Sequence, residues 1–273
     1  VRSRRQRQMC IRDSFAIAMS SGQALSLQAV TPNRLGYGEL FLLQLAGSVT
    51  SLVVPAGVGV GALNLRYLTK KQMTGALALA TVSLMQLFQF VITVALLAVM
   101  VMFTGTSMNV RLPSSTVLAT VLSIVALLVA AMAVPQVRKW IWAKVQPTFR
   151  QVWPRLIWIT SSPRRMALTT VGCLMQTGLQ VAAFYCALAA FGYHLPIATI
   201  TVTFLVSNTL GSMIPTPGGL GPVEAALTAG LQVAGVPGAI ALSGALLYRL
   251  LTFWMRAPIG WLAMRYLQRR DVL

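Results

Sequence analysis

Apolar residues run along this chain in long unbroken stretches, and polar residues collect between them. Runs able to cover about 30 Å of hydrocarbon predict helices at Gly75 to Phe103, Thr116 to Val134, Met166 to Phe191 and Gly238 to about Leu267. A remnant helix is expected at 15 to 30. Two further runs are short for a crossing. Leu40 to Val54 meets Pro55-Ala56-Gly57-Val58-Gly59, and Ile197 to Ile214 meets Pro215-Thr216-Pro217-Gly218-Gly219-Leu220-Gly221-Pro222, after which Val223 to Val233 returns. A membrane β-barrel needs segments of about ten residues in alternating order, which this pattern lacks. The predicted fold class is all-α: a polytopic transmembrane helical bundle with two broken or re-entrant Pro-Gly segments.

Both breaks read P-[AG]-G-[VL]-G at the end of a short apolar run, as Pro55, Gly57, Gly59 and as Pro217, Gly219, Gly221. Proline removes a backbone donor and glycine permits left-handed dihedrals, so at bilayer depth such a stretch must be buried in protein or line a wet cavity. An odd number of predicted spans separates the copies, so they would enter from opposite faces as an inverted repeat. Broken helices at matching places in inverted halves point to a transporter's midplane site. Close helix packing through small residues is the alternative reading.

Composition agrees with the membrane assignment: 56% of residues are hydrophobic, 10% are charged and the mean hydropathy is +0.74. A soluble domain carries about 25% charged residues. The balance of 22 Lys and Arg against 4 Asp and Glu would suggest nucleic acid in a soluble protein. Here it points to the positive-inside rule and to anionic headgroups, with no nucleic-acid partner. Between Pro135 and Arg165 the chain carries Arg138, Lys139, Lys144, Arg150, Arg155, Arg164 and Arg165 among Trp140, Trp142, Trp153 and Trp158. This pattern predicts a cytoplasmic basic loop over 135–165 that lies at headgroup level. The basic end Arg265 to Arg270 places the carboxyl terminus on the same side.

Residues 1–14, VRSRRQRQMCIRDS, resemble a translated transposase end sequence from DNA library preparation. The expectation is a sequencing artefact, or alternatively a basic tail, followed by a single transmembrane domain over 15–273 that is truncated at its amino end.

Candidate chemistry centres on Glu224, directly after the second break, and Arg249, within the last long helix. An intramembrane charge costs on the order of 3 kcal/mol on insertion scales, so the two are expected to pair. The pair is either a lipid-phosphate site or a static ion pair that fixes register. Arg256, seven residues on and so near the same helical face, would extend a basic track or else snorkel toward the cytoplasm. The candidate lipid-binding and translocation set is therefore Pro217, Gly218, Gly219, Gly221, Glu224, Arg249 and Arg256, with Pro55, Gly57, Gly59, Asn64 and Arg66 after the first break. His194 reads as a solvated turn residue, and Cys173 and Cys186 are spaced for neither a disulfide nor a C-x-x-C site. No catalytic constellation, metal site or cofactor motif is found, so the chain is not expected to be an enzyme by itself.

The stretch from Ser207 through Pro215-Thr-Pro217-Gly-Gly219-Leu-Gly221-Pro-Val-Glu224-Ala, with Gly235-Val and Ala245-Leu-Leu-Tyr-Arg249-Leu, resembles the signature of the lysylphosphatidylglycerol synthase transmembrane region, or flippase-like, family. Gln44-Leu-Ala-Gly-Ser-Val through Pro55-Ala-Gly57 and Ala62-Leu-Asn64-Leu-Arg66-Tyr-Leu is similar to its first block in actinobacterial versions. The resemblance implies a multi-pass protein of a bacterial cytoplasmic membrane that translocates or accommodates anionic or aminoacylated phospholipids. The alternative is a membrane subunit of a lipid-modifying enzyme whose soluble transferase is a separate partner. A structural or scaffolding membrane protein is the third reading, favoured if the breaks tolerate substitution.

Overall fold

The computed structural model describes residues 18–32, 35–54, 58–104, 156–157, 159–214 and 216–270. The helices are α1 (18–30), α2 (Tyr37–Val53), α3 (Val58–Lys70), α4 (Gly75–Thr104), α5 (Pro163–Ala189), α6 (Ile197–Ser212), α7 (Pro222–Val233), α8 (Gly238–Arg249) and α9 (Arg256–Arg269). A five-residue π turn, Leu250–Trp254, joins α8 to α9. The described chain is all-α, as the apolar runs predict. Residues 1–14, Arg34, Pro55 to Gly57, the expected helix at 116–134 and most of the basic loop lie outside the described residues. Of that loop, residues 156–157 and 159–160 are helical, and Ile159 is buried against Val30 and Leu84.

Gly75–Phe103, Pro163–Ala189 and Gly238–Arg269 are long and apolar enough to cross a membrane. At about 1.5 Å rise per residue, α2, α3, α6 and α7 measure roughly 18–25 Å, less than the hydrocarbon thickness of about 30 Å. These four form two antiparallel hairpins. In α2–α3, a methyl added to Gly59 would lie 2.8 Å from the Thr50 carbonyl oxygen, one on Gly47 would lie 3.2 Å from Val60, and Gln44 bonds Asn64. In α6–α7, a methyl on Gly211 would lie 2.6 Å from Val223 Cα, and Gly230 lies against Ser207. Small residues thus let paired backbones approach where a side chain would separate them.

The hairpins start at opposite ends of the bundle. Lys71 and Tyr67 both reach Glu39, in the first turn of α2, so α2 begins where α3 ends. α6 begins beside the 190–196 turn, where Tyr193 donates to the Gly235 carbonyl in the α7–α8 turn. The first of these ends gathers Arg66, Lys70, Lys71, Arg164, Arg165, Arg265, Arg269 and Arg270. The other carries no Lys or Arg among the described residues.

The long span after each hairpin reaches the other one. Leu96 and Leu97 of α4 lie against the core around α6 and α7, which holds Ile200, Phe204, Leu227 and Leu231. Ala263 and Leu267 of α9 enter the core around α2 and α3, with Leu43, Leu63 and Tyr67. α1 crosses α5 antiparallel at Gly22 and Gly172, where a methyl on either would lie under 3 Å from the other's carbonyl oxygen.

Candidate functional site

The site grows out of the second break. Gly218, Gly219 and Gly221 take φ of 63°, 65° and 89°, in the left-handed region that a Cβ disfavours. They reverse the chain tightly enough for Pro222 to start α7 at a position that needs no amide donor. Glu224 then falls at the third position of the helix, where its Oε2 accepts the Gly221 N–H at 2.8 Å. This is half of a capping box, since glycine has no side chain to reciprocate, and the carboxylate also meets the positive end of the helix dipole.

Arg249 closes the site from the last turn of α8. Its Nε donates to Glu224 Oε1 at 2.7 Å and its Nη2 to the Gly218 carbonyl at 2.7 Å. The guanidinium stacks on Phe253, with Cζ 4.4 Å from the ring centroid. Side-chain exposures of 11% and 13% for Arg249 and Glu224 make this a mostly buried ion pair. Each charge meets part of the other's desolvation cost, and loss of one partner strands the other. Phe253 Cζ occupies the space a Gly218 methyl would need, so the left-handed glycine and the ring that supports Arg249 are mutually dependent.

The expected face shared by Arg249 and Arg256 does not form. Seven residues return to one face only on a regular α-helix. The π turn, with Met255 N–H bonded to the Leu250 carbonyl five residues back, inserts extra residues into that turn. Arg249 consequently engages α6–α7, whereas Arg256 Nη2 donates to Ser20 Oγ of α1 at 2.8 Å. Arg256 therefore neither extends the basic track nor snorkels. About 20 Å of helix axis separates it from Arg269, beyond the reach of its side chain.

The first hairpin brings no charged pair together among its described residues. Asn64 is buried, and its Oδ1 accepts Gln44 Nε2 at 3.1 Å, a neutral link between limbs. Arg66 is exposed near the basic end, and Gly59 serves close packing. Pro55 and Gly57 lie outside the described residues. Glu39, in the first turn of α2, forms a cluster with Lys71 Nζ at 2.8 Å and Tyr67 Oη at 2.7 Å. The Lys71 bond first, and then the Tyr67 bond, hold its carboxyl below the usual range. Cys173 and Cys186 are free thiols, and no group of metal-ligating side chains occurs among the described residues.

The sequence matches the lysylphosphatidylglycerol synthase TM region family over residues 15–260, most of its length. The chain belongs to that family. UPF0104 membrane proteins of Methanothermobacter thermautotrophicus are 36% identical over 76 residues (28% of this chain, 23% of the relative) and 28% identical over 88 (32% and 26%). The chain thus spans about a quarter of the length of the curated relatives it matches. No solved structure matches it. Membership makes this a multi-pass membrane protein, in keeping with the long apolar helices. In this member the break supplies both the Gly218 carbonyl and the Glu224 carboxylate to a single arginine. Phe253 and the carbonyl of Gly218 escape sequence reading, because a phenylalanine in an apolar run and a backbone oxygen carry no signal there. Ser20 escapes it as well, since only tertiary packing sets it beside Arg256.

Proposed function

We propose that this domain translocates or accommodates anionic or aminoacylated phospholipids across a bacterial cytoplasmic membrane, with the Glu224–Arg249 centre as the headgroup station. The observation that carries this reading is a paired but incompletely used arginine at the tip of a broken hairpin. Nε and one Nη2 hydrogen of Arg249 are engaged, and the Nη1 edge has no protein partner among the described residues. That edge suits a phosphodiester oxygen. Because Glu224 already neutralises Arg249, a headgroup that brings an ammonium alongside its phosphate leaves the centre closer to neutral than a bare anion does. The short hairpins, entering from opposite ends as broken re-entrant elements, would hold polar groups at the midplane, as inverted transporter halves do. The end rich in Lys and Arg, with the carboxyl terminus, is assigned to the cytoplasm.

Transbilayer movement of labelled phosphatidylglycerol in vesicles holding the full chain tests the reading. Wild type is expected to accelerate it and Arg249→Leu, checked for folding, to lose the acceleration. Equal rates in the two would sink the role of Arg249. A second reading follows from the family's name: a membrane subunit serving a separate lipid-modifying transferase. Lipid aminoacylation that requires this chain together with a soluble partner, without transport by the chain alone, would favour it.

A further inference from the structure

We infer that Arg256 forms a second anion site, separate from the Glu224–Arg249 centre, whose occupant presents a phosphate-type oxyanion. Arg249 and Arg256 stand on either side of the middle of the Gly238–Arg269 span, each well inside the apolar length of the helix. Arg249 has a carboxylate. Arg256 has none among the described residues: its guanidinium makes one hydrogen bond there, to the neutral Ser20 hydroxyl, and its Nε is buried without a partner. Both described acids are committed elsewhere, Glu224 to Arg249 and Glu39 to Lys71.

The backbone fixes this arrangement. The π turn aims Arg256 at α1, and its own carbonyl accepts Ser48 Oγ of α2 at 3.1 Å. Gly260, one turn on, lies against Ser48 and the Leu45 carbonyl, so α9 cannot turn to carry the guanidinium outward without separating from α2. A permanent cation held inside a membrane domain by neutral groups lacks a counter-ion that the described residues do not supply. A guanidinium offers its N–H groups as a planar fork, which matches an oxyanion bearing two oxygens. Arg256 as a whole is only partly buried, and its open side is where a lipid phosphodiester would lie alongside. Free phosphate has the same binding chemistry.

The inference rests on membrane location and not on transport, so its test reads binding. The full chain in a non-ionic maltoside detergent is titrated with short-chain phosphatidylglycerol, with diacylglycerol of the same chain length, or with inorganic phosphate, and the unfolding midpoint is followed. Wild type is expected to show a saturable upward shift with an oxyanion that diacylglycerol, which has no phosphate, does not produce. Arg256→Gln should weaken the apparent affinity at least tenfold, while Arg269→Gln at the basic end leaves it unchanged. If Arg256→Gln fails to fold, Ser20→Ala, which removes only the orienting hydroxyl, should still weaken binding severalfold. A response to phosphatidylglycerol alone assigns the lipid phosphodiester, and a response to phosphate as well assigns any accessible oxyanion. An unchanged affinity in Arg256→Gln, or in Ser20→Ala if that variant must stand in, would overturn the site, as would no response in wild type. Loss of lipid movement in Arg249→Leu with this binding intact separates the two proposals.

Discussion

The hairpins α2–α3 and α6–α7 use one backbone device for two kinds of chemistry. In each, a short helix meets a Pro-Gly break and a shorter helix returns along it, with glycine at the closest approach. Inside the first, the polar link is an amide pair, Gln44 to Asn64, while its charges sit at the basic end around Glu39. The second carries its ion pair at the tip, where Glu224 caps α7 and Arg249 reaches in from α8. Short paired helices therefore do not by themselves bring a charged centre. What differs is whether the next span offers a cation at that depth. α8 does, with Arg249, and α4 contains no charged residue.

Removing the charge at the second tip should be the most damaging change. Arg249→Leu leaves Glu224 buried without its cation and is expected to cost about 3–5 kcal/mol of stability, with Glu224→Gln in the same chain recovering part of that loss. Chemical unfolding in detergent measures both, and a loss under about 1 kcal/mol would make the pair energetically idle.

Next comes the break itself. Gly218→Ala should cost about 1–2 kcal/mol for its left-handed backbone and about 1–3 kcal/mol more for displacing Phe253. Phe253→Ala in the same chain should relieve only the steric part, and full relief would show that the backbone conformation carries no cost.

The neutral hairpin should be milder to perturb. Asn64→Leu orphans the Gln44 amide and is expected to cost roughly 1–3 kcal/mol. It should leave lipid movement per folded molecule unchanged, whereas a loss of movement equal to that of Arg249→Leu would erase the functional contrast between the hairpins.

The smallest effect belongs to Glu39. Its carboxyl is held below the ordinary glutamate range, so its contribution is complete above that range and fades as pH falls toward the lower folded value. Glu39→Gln should flatten this acid limb of the stability curve, and an unchanged limb would assign it to other groups.

Much of the bundle is legible in the residues. Run length marks the long helices, and Pro with Gly marks the break at 215–222. The rarity of acids singles out Glu224, and its pairing with Arg249 follows because neither charge is tolerable alone at that depth. Legibility stops where one element meets another. The counterparts proposed after the first break, Asn64 and Arg66, share sequence position with the second site but not its surroundings. Nothing beside Glu39 in the sequence marks its partners, because Lys71 and Tyr67 are distant along the chain and meet it only when the hairpin closes.

By itself the sequence determined the membrane class, the helix lengths and the site of the described chain reversal. These depend on local quantities: apolar run length, missing amide donors and glycine dihedrals. Tertiary structure decided where the two arginines of the last span point. Their spacing of seven places them on one face only if every turn is an α turn, and the π turn at Leu250–Trp254 is not. Its i to i−5 bond directs Arg249 to a carboxylate on α7 and Arg256 to a hydroxyl on α1. A spacing rule carries the local helix period alone, whereas the identity of a buried charge's partner depends on which helices pack beside it.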